Sequence, residues 1–247
     1  VTQFSIDPPS FQLDVEKFAK EAVRRQAKLA IVVTPNNPTS LLVPKDQLIY
    51  LAEEMAVHDC MLIVDESFID FARDGDQESL ENEIEKYPNL AIFKSMSKAY
   101  GICGIRIGYM LTTNVDFLEK VRQGLHIWNI NGFAEEFLRL APQYREKFKQ
   151  SCKKVMNDRD RFYRELQSIP KMIVYPPDAN YIFCRLPDHS LSAIELTQKL
   201  LSDHNIYIKH CAGKAMVESE RYVRLASRTQ PENLRLVKAL RNILAPE

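Results

Sequence analysis

Ser95-Met96-Ser97-Lys98-Ala99-Tyr100-Gly101-Ile102-Cys103-Gly104-Ile105-Arg106-Ile107-Gly108-Tyr109 follows a short apolar run, Leu90 to Phe93, and holds three of the seven glycines in the chain. A chain so poor in glycine concentrates it where backbone must turn sharply or pass close to another group. Lys98 has small hydroxylated neighbours, with Arg106 eight positions on. A lysine in such company is expected to act as a nucleophilic amine toward an aldehyde.

Working outward, the same arrangement recurs twice upstream. Leu29 to Val33 is an unbroken apolar run, with the look of a strand covered on both faces. Thr34-Pro35-Asn36-Asn37-Pro38-Thr39 comes directly after it. Met61 to Val64 is a second such run, ended by Asp65-Glu66. Helical patterns lie between them. One starts at Asp14, a suitable N-cap, with apolar residues at Val15, Phe18, Ala19, Ala22 and Val23; another is opened by Pro44 and carries Leu48, Leu51, Ala52 and Met55. Strands alternating with helices predict a mainly parallel sheet with helices on its faces, an α/β fold of three layers. Arg106 to Leu111 adds a strand and Val115 to Gln123 a helix.

A long charged helical stretch, Pro142 to Ser168, leads into a different pattern. Strands are expected at Met172 to Tyr175, Tyr181 to Arg185, Ile206 to Lys209 and Tyr222 to Leu225. A helix is capped by Ser192 with Glu195, and a last one by Thr229 with Glu232. The division expected is a large domain over 1–145 and a smaller α+β domain over 146–247, the connecting helix included.

Bulk properties narrow the function classes. Lys+Arg and Asp+Glu are both 33, so no global field favours nucleic acid or an anionic membrane. No apolar run approaches the length of a bilayer span. Cys60, Cys103, Cys152, Cys184 and Cys211 are odd in number and lack metal or redox spacing, as expected of reduced thiols in a cytoplasmic protein. The five histidines show no metal spacing either; His126 and His210 are the two considered for the site. Trp128 and the aromatics around it are expected in the core or a subunit interface.

In a parallel α/β sheet, ligands bind beyond the carboxyl ends of the strands. Asn37, Asp65 and the Ser95–Lys98 run each follow such an end. An amide, a carboxylate and a lysine together meet the needs of an aldehyde-bearing pyridine cofactor. The lysine takes the aldehyde, the carboxylate keeps the ring nitrogen protonated, and the amide donates to the ring hydroxyl. Nearby hydroxyls and a guanidinium suit a phosphate ester.

In these motifs the chain resembles the fold type I pyridoxal-phosphate enzymes, in the branch of histidinol-phosphate aminotransferases and threonine-phosphate decarboxylases. Asn36-Asn37-Pro38-Thr39, Asp65-Glu66-Ser67-Phe68-Ile69-Asp70-Phe71 and the Ser95–Tyr109 run stand in family order, followed by Ala179-Asn180-Tyr181 and Tyr222-Val223-Arg224-Leu225. The resemblance gives Lys98 the cofactor aldehyde, Asp65 the pyridine nitrogen and Asn37 the ring hydroxyl. It gives Ser95, Ser97 and Arg106 the cofactor phosphate. Arg224 matches the clamp on the substrate α-carboxylate, with Asn180 nearby. Lys209 falls where the histidinol-phosphate branch has an arginine for the substrate phosphate, and Arg228 looks more like the threonine-phosphate branch. Phe68 stands where many relatives have tyrosine. Ser40 replaces a common glycine and is read as loop variation of little consequence.

The activity implied is amino-group transfer between a small phosphorylated or phosphonate-bearing amine and a 2-oxo acid, by a homodimer. Decarboxylation of an amino-acid phosphate is the alternative within the same chemistry, and an inert module with an oligomerisation role is the alternative outside it. Ser95-x-x-Lys98 also fits the acyl-enzyme motif of penicillin-recognising proteins, but the SDN and KTG partners that motif requires do not occur in the sequence. Family members carry a segment that would precede Val1, with a phosphate-gripping turn and a ring-stacking aromatic. The chain is therefore expected to be a fragment, a processed product or one module of a longer polypeptide.

Overall fold

The computed structural model describes residues 1–244. The chain divides into two compact units. One, here the N-terminal unit, comprises Leu13–Pro35 and Leu42–Cys152; the C-terminal unit comprises Val1–Gln12, Asn36–Leu41 and the chain from Lys153 onward.

In the N-terminal unit, α1 (Val15–Arg24) starts where the Asp14 carboxylate accepts the Lys17 N–H, which satisfies one orphan donor of the first turn. β1 (Leu29–Val33) leads through α2 (Lys45–Val57) to β2 (Met61–Asp65). Two short 3₁₀ turns and the one-turn α3 (Gly75–Glu78) precede β3 (Leu90–Ser95), and α4 (Met96–Ala99) follows it directly. β4 (Gly108–Leu111), α5 (Val115–Gln123) and α6 (Gly132–Leu140) complete the run up to α7 (Arg145–Gln167). The sheet order is β1-β2-β3-β4, with the first two pairings parallel and β4 antiparallel to β3. This is the α/β, mainly parallel architecture anticipated from the alternation of elements.

Alternation along the strands decides where the core lies. Ala30 and Val32 of β1 and Leu62 and Val64 of β2 pack with Ala19, Leu48, Leu51, Ala52 and Met55 of α1 and α2. Both helices therefore cover the same face. The opposite face of β1 presents Leu29 and Ile31, which are 46% and 56% exposed. The expectation that β1 is covered on both sides is thus corrected: in period-two geometry an unbroken apolar run points half its side chains away from the helices, and here that half is open. Trp128, 93% exposed, is likewise not a core residue.

The C-terminal unit is built on a second four-stranded sheet. Its strands are β5 (Ile173–Val174), β6 (Tyr181–Arg185), β7 (Lys209–His210) and β8 (Tyr222–Ala226), in the antiparallel order β5-β6-β8-β7. α8 (Ala193–His204) begins at a capping box, the Ser192 hydroxyl and Glu195 carboxylate each serving the other's backbone N–H. α9 (Gln230–Leu244) starts after Thr229, whose N–H and hydroxyl both donate to Glu232. One sheet face packs Ile182, Cys184, Val223 and Leu225 against α7, α8 and α9. The other gathers Phe11, Tyr175, Phe183, Cys211 and Tyr222 into an aromatic cluster, with Phe183 stacked on Tyr222 at 5.0 Å.

Candidate active site

Residues paired in register across a parallel sheet share a face. Asp65 at the carboxyl end of β2 pairs with Phe93 of β3. Ser95 lies two positions beyond Phe93, so it emerges on the same face as Asp65 and at the same edge. Asp65 Oδ1 accepts the Ser67 N–H at 2.9 Å, and Ser67 Oγ accepts the Ser95 N–H at 2.9 Å. The turn after β2 is thereby tied to the turn after β3. Ser67 carries no signal in the sequence; a serine two residues after an aspartate gives no hint of a bond 28 positions away.

Lys98 sits on α4, immediately after this edge, with its side chain exposed. It makes no ion pair among the described residues. Tyr100 anchors the turn: its ring stacks on Phe148 at 4.0 Å and meets Phe137 edge-on at 5.3 Å. Gly101 at φ +67° reverses the chain where a side chain would be strained. Gly108 pairs with Ser95, and a Cβ there would lie 2.7 Å from the Lys94 carbonyl oxygen. Between them Arg106 adopts a left-handed conformation (φ 54°, ψ 54°). Its guanidinium donates to the buried Ser97 hydroxyl at 3.4 Å and to the Cys103 carbonyl at 3.2 Å. A lysine, two serines, an arginine and a carboxylate thus stand at one edge of one sheet or on the turns that follow it. This donor set fits a phosphorylated pyridine aldehyde: an amine for the carbonyl, a carboxylate for the ring nitrogen, and a guanidinium with hydroxyls for the phosphate.

Beneath this edge lies a buried charge network that sequence reading missed. Glu66 is fully buried; its carboxylate accepts the Ser79 hydroxyl at 2.6 Å and the Leu80 N–H at 2.8 Å. Lys94 pairs with Asp70 at 3.2 Å and Glu81 at 3.6 Å, and the Tyr109 hydroxyl donates to Glu81 at 2.5 Å. Burial pushes the Glu66 and Asp70 carboxyls up, outweighing the hydrogen bonds and the Lys94 charge. Burial alone would lower Lys94, but the Asp70 and Glu81 charges more than offset it and the ammonium is held upward. Tyr109 is pushed up by burial and by its bond to Glu81.

The remaining predicted residues belong to the C-terminal unit. Arg224 of β8 donates from Nη1 to Asn37 Oδ1 at 2.9 Å, and its guanidinium lies 4.9 Å from the centre of the Tyr181 ring. Lys209 of β7 is the direct cross-strand partner of Arg224. Two cations opposite each other repel, and neither has a carboxylate partner among the described residues. That arrangement suits an anionic ligand. The Asn180 carbonyl accepts the Ser227 N–H. Arg228 is turned to a local role, its Nε paired with Glu232 at 2.7 Å on an exposed helix start. Ser40, expected to be incidental, is fully buried at φ +67° and makes bonds to Asp178 and Ala179. No group of histidine, cysteine, aspartate and glutamate among the described residues is arranged to hold a metal ion, and no helix among them is long and apolar enough to cross a membrane.

The family described as Aminotransferase class I and II matches residues 1–240. The CMP-5'-(3-aminopropyl)phosphonate synthase of Streptomyces rubellomurinus is 38% identical over 99% of this chain and 38% of its own length. The L-serine phosphate decarboxylase of Sulfurospirillum multivorans is 31% identical over 95% of this chain and 60% of its own length. The chain thus spans less than two thirds of either relative. Among solved structures, the histidinol-phosphate aminotransferase of Sinorhizobium meliloti in complex with pyridoxal-5'-phosphate superposes with a TM-score of 0.75. It is 26% identical, covering 94% of this chain and 61% of that one.

Proposed function

The chain belongs to the class I and II aminotransferase family, and from that footing we propose that it works with pyridoxal 5'-phosphate. The reaction proposed is transfer of the amino group of a small phosphorylated or phosphonate-bearing amine or amino acid to a 2-oxo acid. The observation that carries this reading is the common edge and face of Asp65 and Ser95, with Lys98 on the turn that follows. When bound, the cofactor supplies an electron-poor ring that accepts the electron pair left by a broken substrate bond.

The roles of the chain's own groups follow from their chemistry. Lys98 Nζ would hold the group through its aldehyde carbon and, freed when the substrate amine takes that place, would move the proton from the substrate α-carbon to the former aldehyde carbon. Asp65 keeps Oδ2 to hold the proton on the ring nitrogen, Oδ1 being occupied by the Ser67 N–H. Arg106, Ser97 and Ser95 bind the cofactor phosphate through charge-assisted bonds. Asn37 spends its oxygen on Arg224, which leaves its amide N–H₂ to donate to the ring hydroxyl. Arg224 binds the substrate carboxylate beside Asn180, and Lys209 binds the phosphoryl or phosphonyl end as a point charge. Arg228, the remaining residue assigned to substrate, is paired with Glu232. A homodimer is the assembly proposed. The exposed apolar residues Ile127, Trp128 and Phe133 offer a surface for it.

Decarboxylation of an amino-acid phosphate is the second reading, favoured by the similarity to the L-serine phosphate decarboxylase. The two differ in whether the bond to hydrogen or the bond to the carboxylate breaks. Full-length protein supplied with pyridoxal phosphate is offered 3-aminopropylphosphonate or L-serine phosphate as donor and 2-oxoglutarate as acceptor. Glutamate formation without carbon dioxide is the expected result. Carbon dioxide release without glutamate turns the assignment to the decarboxylase, and neither product from any donor favours an inert, oligomerising module.

A further inference from the structure

Ser40 has a backbone that glycine fits better and a side chain that glycine lacks. It is fully buried, at φ +67°, and serine gains no special ease in that left-handed region. A non-glycine residue persists there when its surroundings over-determine it. Those surroundings are specific. Ser40 Oγ accepts the Ala179 N–H at 2.9 Å, its carbonyl accepts the Asp178 N–H at 2.9 Å, and its N–H donates to the Asn36 carbonyl at 2.7 Å.

The Asn36 carbonyl also takes the Tyr181 hydroxyl at 2.7 Å, and the Asn36 N–H donates to the Leu41 carbonyl at 2.8 Å. The six-residue segment Asn36–Leu41 is thus closed on itself and fastened to Asp178–Tyr181. Asn37 projects from the first, and Asn180 lies within the second. Buried Arg159 braces the far side by donating to the Ala179 carbonyl at 3.3 Å.

We propose that Ser40 is a positioning residue: its hydroxyl and its left-handed backbone lock the Asn37 loop to the Asn180 segment, so that Asn37 and the Arg224 it bonds are held ready for the substrate carboxylate. This rests on the assignment of Arg224 and Asn37 above, and acts through them without touching substrate. Truncating the hydroxyl leaves the Ala179 N–H without its acceptor and frees the loop to shift Asn37 relative to Asn180.

Two substitutions separate the hydroxyl from the backbone. Ser40→Ala removes the acceptor and keeps the Cβ; Ser40→Gly removes the acceptor and relieves the strain. In the full-length protein loaded with pyridoxal phosphate, the dissociation constant of maleate, a simple dicarboxylate, is measured for both variants and for Arg224→Gln. Thermal melting and amide exchange at Ala179 are followed in parallel. The expected result is about tenfold weaker maleate binding in both Ser40 variants, with faster exchange at Ala179 and unchanged cofactor content. A purely structural role predicts instead that Ser40→Gly, relieved of strain, binds maleate like the parent. That outcome, or maleate binding within twofold of the parent in both variants while Arg224→Gln weakens it, overturns the proposal alone. Unchanged binding in Arg224→Gln overturns the underlying site assignment and the proposal with it. Should Ser40→Ala fail to fold, Ser40→Gly decides the matter.

Discussion

At the scale of single residues, the groups proposed to carry the chemistry owe their placement to where strands end. Asp65 closes β2 and Ser95 closes β3, and a parallel pairing puts both side chains on one face. The strand-end positions of Asp65 and Ser95 were legible in the sequence, because polar residues directly after apolar runs mark strand ends, where an α/β sheet binds its ligands; the parts proposed for Lys98, Ser97 and Arg106 come from the order of the motifs. Ser40 was not. Its weight depends on a positive φ and on a partner 139 positions away, neither of which its neighbours in sequence reveal. The role proposed for Asp65 gives a direct expectation. Asp65→Asn keeps the shape and the bond to the Ser67 N–H but no longer balances a proton on the ring nitrogen. Turnover is expected to fall by about 10²–10⁴-fold, the usual cost of removing a positioned proton-holding group, while covalent cofactor content at Lys98 stays at the parent level. Steady-state kinetics beside cofactor stoichiometry check both halves.

At the scale of elements, periodicity and caps carried far. Asp14 starts α1, Ser192 with Glu195 starts α8, and the bounds of β1, α5 and β6 coincide with their apolar patterns. α6 went unread although its signals are there: Asn131 caps it, and Phe133, Ala134, Phe137 and Leu138 recur at helical spacing. β7 begins at Lys209 and not at Ile206, and β4 runs antiparallel, a choice made by pairing with β3 and not by local pattern. The buried network of Glu66, Asp70, Glu81 and Lys94 was hidden, since single charged residues in turns or at the end of a strand look solvated. It sets a pH dependence. Glu66 and Asp70 are raised in the folded chain by burial, so each contributes stability that is complete below its unfolded value and is lost as pH rises through its raised one. Stability is therefore predicted to decline as pH climbs out of the carboxylate range. Glu66→Gln keeps an acceptor for the Leu80 N–H and a donor for Ser79, and it flattens that decline. Lys94→Met, which strands Asp70, costs about 3–5 kcal/mol near neutrality. Urea unfolding across pH reads both; a Glu66→Gln slope as steep as the parent's contradicts the assignment.

At the scale of the whole molecule, the chain is read as two compact units, and one six-residue loop belongs with the unit that its flanking residues do not. That exchange is invisible in sequence, because nothing in the composition of Asn36–Leu41 sets it apart from the loop around it. What the sequence did carry was the order of the motifs, which matches the family from residue 1 to 240. The proposed activity depends on covalent attachment of an aldehyde cofactor at a single amine. Full-length protein incubated with pyridoxal phosphate, reduced with borohydride and digested, is mapped by mass spectrometry. The predicted result is one phosphopyridoxyl group per chain, on Lys98, and none in Lys98→Ala; a label spread over other lysines, or no label at all, contradicts it.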